Sequence, residues 1–225
     1  MEILHVIKHN KKLNKDKKQL AFCSLHSLIL ANNFLPVNWA LGPSTSGETM
    51  NIIAFAASNS SKSINKKLAT YASTLLANAS VEVIDLNDHE LPLFSEDKES
   101  EMGKPDLAEL FLKKIKNCDA LIISFAEHNG TYSVAYKNLF DWCSRINPKV
   151  YQGKSMILLS TSPGPSGAST VLSSAVGSMP YFDGIVKGSF SLPSFYDNFD
   201  IENNKVSNPE ICSQLKEVIN KLNEK

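Results

Sequence analysis

The sequence predicts an α/β fold, a single parallel β-sheet with helices on both faces. Three observations predict it. From about residue 50 to the end, short apolar runs alternate with stretches whose apolar residues recur at helical spacing. The apolar runs are nearly continuous, as strands covered on both faces require. The links between them are short, so each strand is followed by a helix that packs back on the sheet.

The elements follow in order. Met50 to Ala57 (Met-Asn-Ile-Ile-Ala-Phe-Ala-Ala) reads as the first strand, and Ile64, Leu68, Tyr71, Ala72 and Leu75 mark the first helix. Val81 to Asp85 is the second strand. After Pro105, Leu107, Leu110, Phe111, Lys114 and Ile115 mark a second helix. Ala120 to Phe125 is the third strand, with a helix from Val134 to Cys143 behind it. Ser155 to Ser160 is the fourth strand, Ala168 to Met179 a helix rich in small residues, and Ile185 to Phe190 the fifth strand. Ile211, Leu215, Val218, Ile219 and Leu222 form the stripe of a closing helix. Five strands in about 175 residues fit a flavodoxin-like three-layer sandwich with strand order 2-1-3-4-5. In such a sheet ligands bind beyond the carboxyl ends of the strands, near the switch between the first and third. The loops after strands one, three and four are therefore the ones to read for chemistry.

Composition narrows the function. The 225 residues carry 23 basic and 23 acidic groups, which gives no case for nucleic-acid binding. Arg145 is the only arginine. The four cysteines, Cys23, Cys118, Cys143 and Cys212, show no CxxC pair and no metal spacing. They read as free thiols of a reducing, cytoplasmic compartment. No metal site is expected, and no apolar run is long enough to span a bilayer.

Residues 1–49 stand apart from 50–225. They hold six lysines against three acidic residues, then an apolar dozen (Leu20 to Ala31) and a loop-like Gly42-Pro-Ser-Thr-Ser-Gly47. A basic start before an apolar stretch resembles a signal peptide, but no clean cleavage site follows closely. The reading adopted is an extension outside the fold, with a targeting segment and an interaction arm as the alternatives. The remaining domain carries 17 basic and 20 acidic residues.

The first of the three loops, Ala57 to Asn65 (Ala-Ser-Asn-Ser-Ser-Lys-Ser-Ile-Asn), offers four serine hydroxyls, two amides, a lysine and the free N–H groups of a helix start. Those are the parts of a phosphate cradle, although a serine-rich helix cap uses some of the same residues. The second, Phe125 to Ser133, contains the tight-turn pair Asn129-Gly130. It allows close backbone approach to a flat ligand or is a plain β-to-α turn, and His128 suits stacking better than acid–base work. The third, Ser160 to Ala168, has two glycines and two prolines and is a weak signal alone.

Taken together, these loops resemble the NADPH-dependent FMN reductase family of flavin, quinone, azo-dye and chromate reductases. The family reads roughly G-S-x-R-x-x-S-x-N-x-x-L-A after its first strand, and here Ser58, Ser63, Asn65, Leu68 and Ala69 match. It then reads P-E-Y-N-G-S followed by L-K-N-x-x-D-W, matched by Glu127, Asn129, Gly130, Lys137, Asn138, Asp141 and Trp142. The third loop resembles its S-x-x-x-G-x-x-G segment. Ser60 replaces the family's phosphate-loop arginine, which removes a bidentate donor. His128 replaces its tyrosine and Ala126 its proline.

The resemblance implies an NAD(P)H-dependent oxidoreductase that binds FMN and passes electrons to a small acceptor such as a quinone, flavin or azo compound by a ping-pong course. It implies that Ser58, Ser60, Ser63 and Asn65 hold the phosphate. Phe125, Ala126, Glu127, His128, Asn129 and Gly130 would line the ring and ribityl chain, and Thr161, Ser162, Pro163 and Gly164 would close the other side. No dedicated catalytic acid or base is implied, and NADPH and NADH are both open as reductant. Lys137, Asn138, Asp141 and Trp142 would anchor their helix. The aromatics Tyr132, Tyr136, Phe140 and Trp142 serve either a subunit contact, in a homodimer or homotetramer, or the core. A flavodoxin-like electron carrier and a flavin-free module on the same fold are the competing functions. The absence of a G-x-x-x-x-G-K-[ST] run argues against a nucleotide hydrolase.

Overall fold

The structure, a computed structural model, describes residues 49–224. Residues 1–48, nearly all of the expected extension, lie outside them. Among the described residues the strands are β1 (Met50–Ala57), β2 (Ala79–Ile84), β3 (Ala120–Phe125), β4 (Glu127–His128), β5 (Thr131–Tyr132), β6 (Ser155–Thr161), β7 (Ile185–Leu192), β8 (Phe199–Asp200) and β9 (Lys205–Val206). The α-helices are α1 (Ile64–Ser73), α2 (Glu96–Met102), α3 (Asp106–Asn117), α4 (Val134–Ile146), α5 (Ser169–Ser178), α6 (Phe195–Asn198) and α7 (Pro209–Asn220). The five long strands form one parallel sheet in the order β2-β1-β3-β6-β7. With the two short antiparallel hairpins set aside, this is the expected 2-1-3-4-5 order.

The sheet is buried on both faces because the middle positions of its central strands are nearly all apolar. Ile53, Phe55, Leu121, Ile123 and Leu158 face one way and pack with Phe111, Ile115, Leu139, Trp142, Val171 and Ala175 from α3, α4 and α5. The intervening Ile52, Ala54, Ile122, Ile157 and Leu159 face the other way, onto Leu68 and Ala72 of α1 and Leu215 and Ile219 of α7. Full burial of one such large side chain contributes about 1.5–3 kcal/mol. These two layers fix the sheet rigidly enough to aim its loops.

Helix starts are capped where the sequence offers a short polar side chain. The hydroxyls of Ser63, Ser95 and Ser133 accept the N–H of Lys66, Lys98 and Tyr136, and Asn208 caps α7 with Pro209 at its first position. The structure departs from the sequence reading at some edges. The second strand starts at Ala79 and the fifth runs on to Leu192. Ala168 is the left-handed residue before α5 (φ +63°), not its first turn. Helix α2 had no counterpart in the sequence reading, since it buries none of its residues. It is held to α4 by Arg145, whose Nε donates to both carboxylate oxygens of Glu99 at 3.1 and 2.9 Å.

Candidate functional site

The carboxyl ends of β1, β3 and β6 lie level, with Ala57 beside Phe125 and Phe125 beside Ser160. Their three loops therefore emerge side by side, and buried hydrogen bonds join them into one rim. Asn65, 3% exposed, is the central joint. Its Oδ1 accepts the Ser124 hydroxyl at 2.8 Å and the Thr161 N–H at 3.1 Å, while its Nδ2 donates to the Thr161 carbonyl at 3.1 Å. One side chain at the start of α1 thus holds the ends of β3 and β6. Ser133 ties the end of β1 to the start of α4, donating to the Ala57 carbonyl at 2.8 Å. Glu127 crosses to α5, where its carboxylate accepts the Val171 N–H at 2.9 Å. The loop after β7 joins the rim as well, with Ser194 and Phe195 donating to the carbonyls of Gly164 and Ser162.

Each residue singled out from the sequence has a definite place on this rim. Ser58 is nearly buried and accepts the N–H of Ser60 at 3.2 Å, which curls the loop; Ser60 itself is exposed. Ser63 caps α1. The Asn65 amide is engaged within the protein, by Ser124 and Thr161. Phe125 is fully buried below the rim, against Tyr132 and Tyr136 at ring separations of 5.6 and 5.3 Å. Ala126 is buried. His128, Asn129 and Gly130 are exposed on the β4–β5 hairpin, whose two turn residues have φ of +52° and +77°. That is the left-handed pair a two-residue hairpin turn needs, and it is why Asn-Gly stands there. Thr161 is buried and donates to the Leu192 carbonyl at 2.8 Å. Ser162 and Gly164 are half-buried, and Pro163 is exposed.

Gly167 lets the third loop lie against β7. Its φ is +58°, and a β-carbon there would stand 2.8 Å from the Leu192 carbonyl oxygen.

The rim borders a cleft of about 370 Å³, between the segment after β2 and the starts of the first two loops and α4. His128, Asn59 and Ser133 line it on one side, and Leu86, His89 and Leu91 on the other. The sequence reading missed this second wall. It begins with a short 3₁₀ turn, Leu86–His89, and is pinned to α4 by the motif residues that the resemblance assigned to anchoring. Asn138 accepts the Phe94 N–H and donates to the carbonyls of Leu91 and Pro92, and the Trp142 indole donates to the Pro92 carbonyl at 2.8 Å. Position at the carboxyl end of an adjoining strand was the signal that could have found it. A larger cleft, about 420 Å³, sits at the opposite end of the strands beside Asn51, Ser80 and Lys113, away from the rim loops.

The aromatic set divides. Tyr136 and Trp142 are core residues, while Tyr132 and Phe140 are half-buried. Burial raises the Tyr132 and Tyr136 hydroxyls above their usual range, and it pushes the Cys118 and Cys143 thiols up to about 11 and about 12. Those cysteines are therefore poor nucleophiles. Among the described residues no cluster of His, Cys, Asp or Glu is placed to hold a metal. Nor is any described helix long and apolar enough to cross a membrane.

The donor set suits a phosphate ester at the start of α1. Ser58 and Ser60 present hydroxyls, and the N–H groups of Ile64 and Asn65 belong to the first turn, which the helix itself leaves unpaired. The first turn of α1 carries no acidic residue, so the positive end of the helix is open to an anion. At the neighbouring α5 the protein's own Glu127 already occupies the equivalent position.

Residues 50–197 match the family described as NADPH-dependent FMN reductase. The chain is 33% identical over 123 residues to the 2-hydroxy-1,4-benzoquinone reductase of a Burkholderia species, a stretch covering 54% of this chain and 65% of that enzyme. It is 32% identical over 143 residues to the NADPH:quinone oxidoreductase of Arabidopsis thaliana, covering 62% and 70% of the two chains. In fold it is similar to FerB, a flavoenzyme NAD(P)H:(acceptor) oxidoreductase from Paracoccus denitrificans. That match has a TM-score of 0.62 at 19% identity over 77% of this chain and 94% of FerB.

Proposed function

The chain belongs to the NADPH-dependent FMN reductase family, and from that premise we propose that it binds FMN on the rim and uses NAD(P)H to reduce a small acceptor such as a quinone. The observation that carries the proposal is the acid-free start of α1 under a serine loop, locked to the other two loops by Asn65. FMN, when bound, supplies the hydride and electron chemistry. The protein's part is to hold and aim it. Ser58, Ser60, Ser63 and the first-turn N–H groups of α1 bind the phosphate, and the loop around Asn65 keeps them in register with the rest of the rim. Ala126 to Gly130 would line the ring and ribityl chain, and Thr161 to Gly164 would close the other side. No side chain is required to move a proton during hydride transfer. The quinone reductases among the relatives support a quinone as acceptor. The same reading confines flavin binding to residues 50–225, so a chain starting at Met50 keeps the flavin. Leu93 and Val134, 70% and 68% exposed beside the cleft, support a homo-oligomer with a subunit contact there.

Held by these loops, the flavin would have one ring face against protein, and nicotinamide and acceptor would take turns on the other. The nicotinamide must stack closely for transfer, and the acceptor needs the same surface. The test is kinetic. The purified protein is to carry flavin absorbance and oxidise NAD(P)H with a quinone, giving parallel double-reciprocal lines at several fixed quinone concentrations. Intersecting lines would remove the shared-face mechanism, and a colourless protein that takes up no added FMN would remove the function.

A further inference from the structure

A separate cleft, about 370 Å³ in volume, follows the outward face of α1. It begins at Ser61 to Ser63 of the rim loop and runs along the helix past Lys67 and Tyr71 to Asn204. No carboxylate lines it. Three lysines do, and their surroundings differ. Lys66 is neutralised by Asp85 at 2.5 Å. Lys67 is half-buried, and its ammonium donates to the neutral amide oxygen of Asn204 at 3.1 Å. Lys62 is exposed and forms no ion pair among the described residues. Two positive charges thus stand in one groove without a counter-charge, one of them fixed in direction. Tyr71 adds a fixed aromatic wall. Its hydroxyl lies 3.2 Å from Cys212 Sγ, and its ring meets Phe199 edge-on at 6.0 Å.

We propose that this cleft binds the 2′-phosphorylated adenosine end of NADPH, with Lys67 and Lys62 meeting the 2′-phosphate. The inference rests on the reductase reading above and assigns its reductant. Uncompensated cations suit a phosphate monoester, and an aromatic wall suits the flat base beside it. The upper end of the cleft is the rim loop itself. A dinucleotide whose nicotinamide lies over the rim can therefore lay its other end down α1, which from Ile64 to Thr74 rises about 15 Å at 1.5 Å per residue. Lys67 is not among the residues assigned to the FMN phosphate, so the two anion sites can be perturbed separately.

The test uses full-length protein loaded with FMN and titrated calorimetrically with 2′,5′-ADP, 5′-AMP and inorganic phosphate. Since a charge-assisted hydrogen bond is worth about 1.5–3 kcal/mol, 2′,5′-ADP is expected to bind roughly tenfold or more tighter than 5′-AMP. Lys67→Gln should remove most of that difference. It should also raise the KM for NADPH relative to that for NADH, with FMN affinity unchanged. Equal binding of the two nucleotides would overturn the assignment, as would discrimination that survives Lys67→Gln combined with Lys62→Gln. Inorganic phosphate binding as tightly as 2′,5′-ADP would overturn it too, because the cleft would then not read the adenosine. A protein that oxidises NADH and NADPH alike defeats this inference and leaves the reductase reading intact. One that oxidises neither defeats both.

Discussion

Replacing Asn65 with alanine removes one amide and three hydrogen bonds. The Ser124 hydroxyl loses its acceptor, and Thr161 loses a partner for both its N–H and its carbonyl. Ser124 and Thr161 are 0% and 1% exposed, so bulk water does not readily replace those partners. At about 1 kcal/mol net per bond, Asn65→Ala is expected to cost about 3 kcal/mol. With an m-value of about 2 kcal/mol/M in urea, the unfolding midpoint falls by about 1.5 M. Ser124→Ala removes only one of the three bonds and leaves the Asn65–Thr161 pair intact, so it should cost about 1 kcal/mol. Asn65→Asp keeps the acceptors but turns an oxygen toward the Thr161 carbonyl. Protonating the introduced carboxyl restores a donor, so the deficit of that variant should narrow as pH falls. FMN affinity should drop with Asn65→Ala even at temperatures where the protein is fully folded, because the phosphate loop loses its register. Urea melts of the three variants at unchanged m are the assay. A loss below about 1 kcal/mol for Asn65→Ala, or equal losses for Asn65→Ala and Ser124→Ala, would show that the amide is not the joint described here.

Three further outcomes are expected. Gly167→Ala should destabilise the fold by more than about 1–3 kcal/mol, since it adds a contact with the Leu192 carbonyl oxygen to the strain of a positive φ; a urea midpoint within error of the parent would contradict this. Ser58→Ala should weaken FMN about tenfold and riboflavin far less, because a hydrogen bond to a charged phosphate is worth roughly 1.5–3 kcal/mol; equal losses for both ligands, measured by fluorescence titration, would mean that the loop does not read phosphate. The hydrogen bond from Lys66, helped by the Asn87 N–H, holds the Asp85 carboxyl below the usual carboxylate range. Its folded pKa is depressed, so the stability it contributes is present above the unfolded value and is lost as pH falls through the folded one. Both side chains are partly exposed, which keeps the contribution under about 1 kcal/mol. Lys66→Met should therefore reduce the difference in thermal stability between neutral and acid pH, and added salt should do the same in the parent.

Apolar pattern made the main sheet and its order legible, because a strand buried on both faces and an amphipathic helix each leave a periodic trace. Where there is nothing to bury, the trace vanishes. Helix α2 is Glu-Asp-Lys-Glu-Ser-Glu-Met with every residue at least partly exposed, and no periodicity could mark it. The wall Leu86 to Phe94 is shaped by contacts with Asn138 and Trp142, some 50 positions away in the chain, which local pattern does not carry. The rim loops were found by their place after the strands. The division of labour within them was not, because Asn65 as a phosphate ligand and Asn65 as a buried joint are the same letter. Likewise the hydrogen bond from the Val171 N–H to the Glu127 carboxylate depends on the proximity of α5, which local sequence does not carry.

The pairing of Arg145 with Glu99 has a consequence for everything the rim can recognise. The chain's one guanidinium is bound to a carboxylate between α2 and α4 and sits 6.0 Å from the Phe94 ring. Any anion met at α1 must then be met by ammonium groups, hydroxyls and peptide N–H groups. Ammonium is a compact, strongly hydrated point charge that enforces no angle, whereas peptide donors are rigid but carry little charge. At the serine loop, selectivity among anions therefore resides in the curl of the backbone, whereas the lysines along α1 add charge and strength. Moderate salt should erode affinity well before it erodes selectivity.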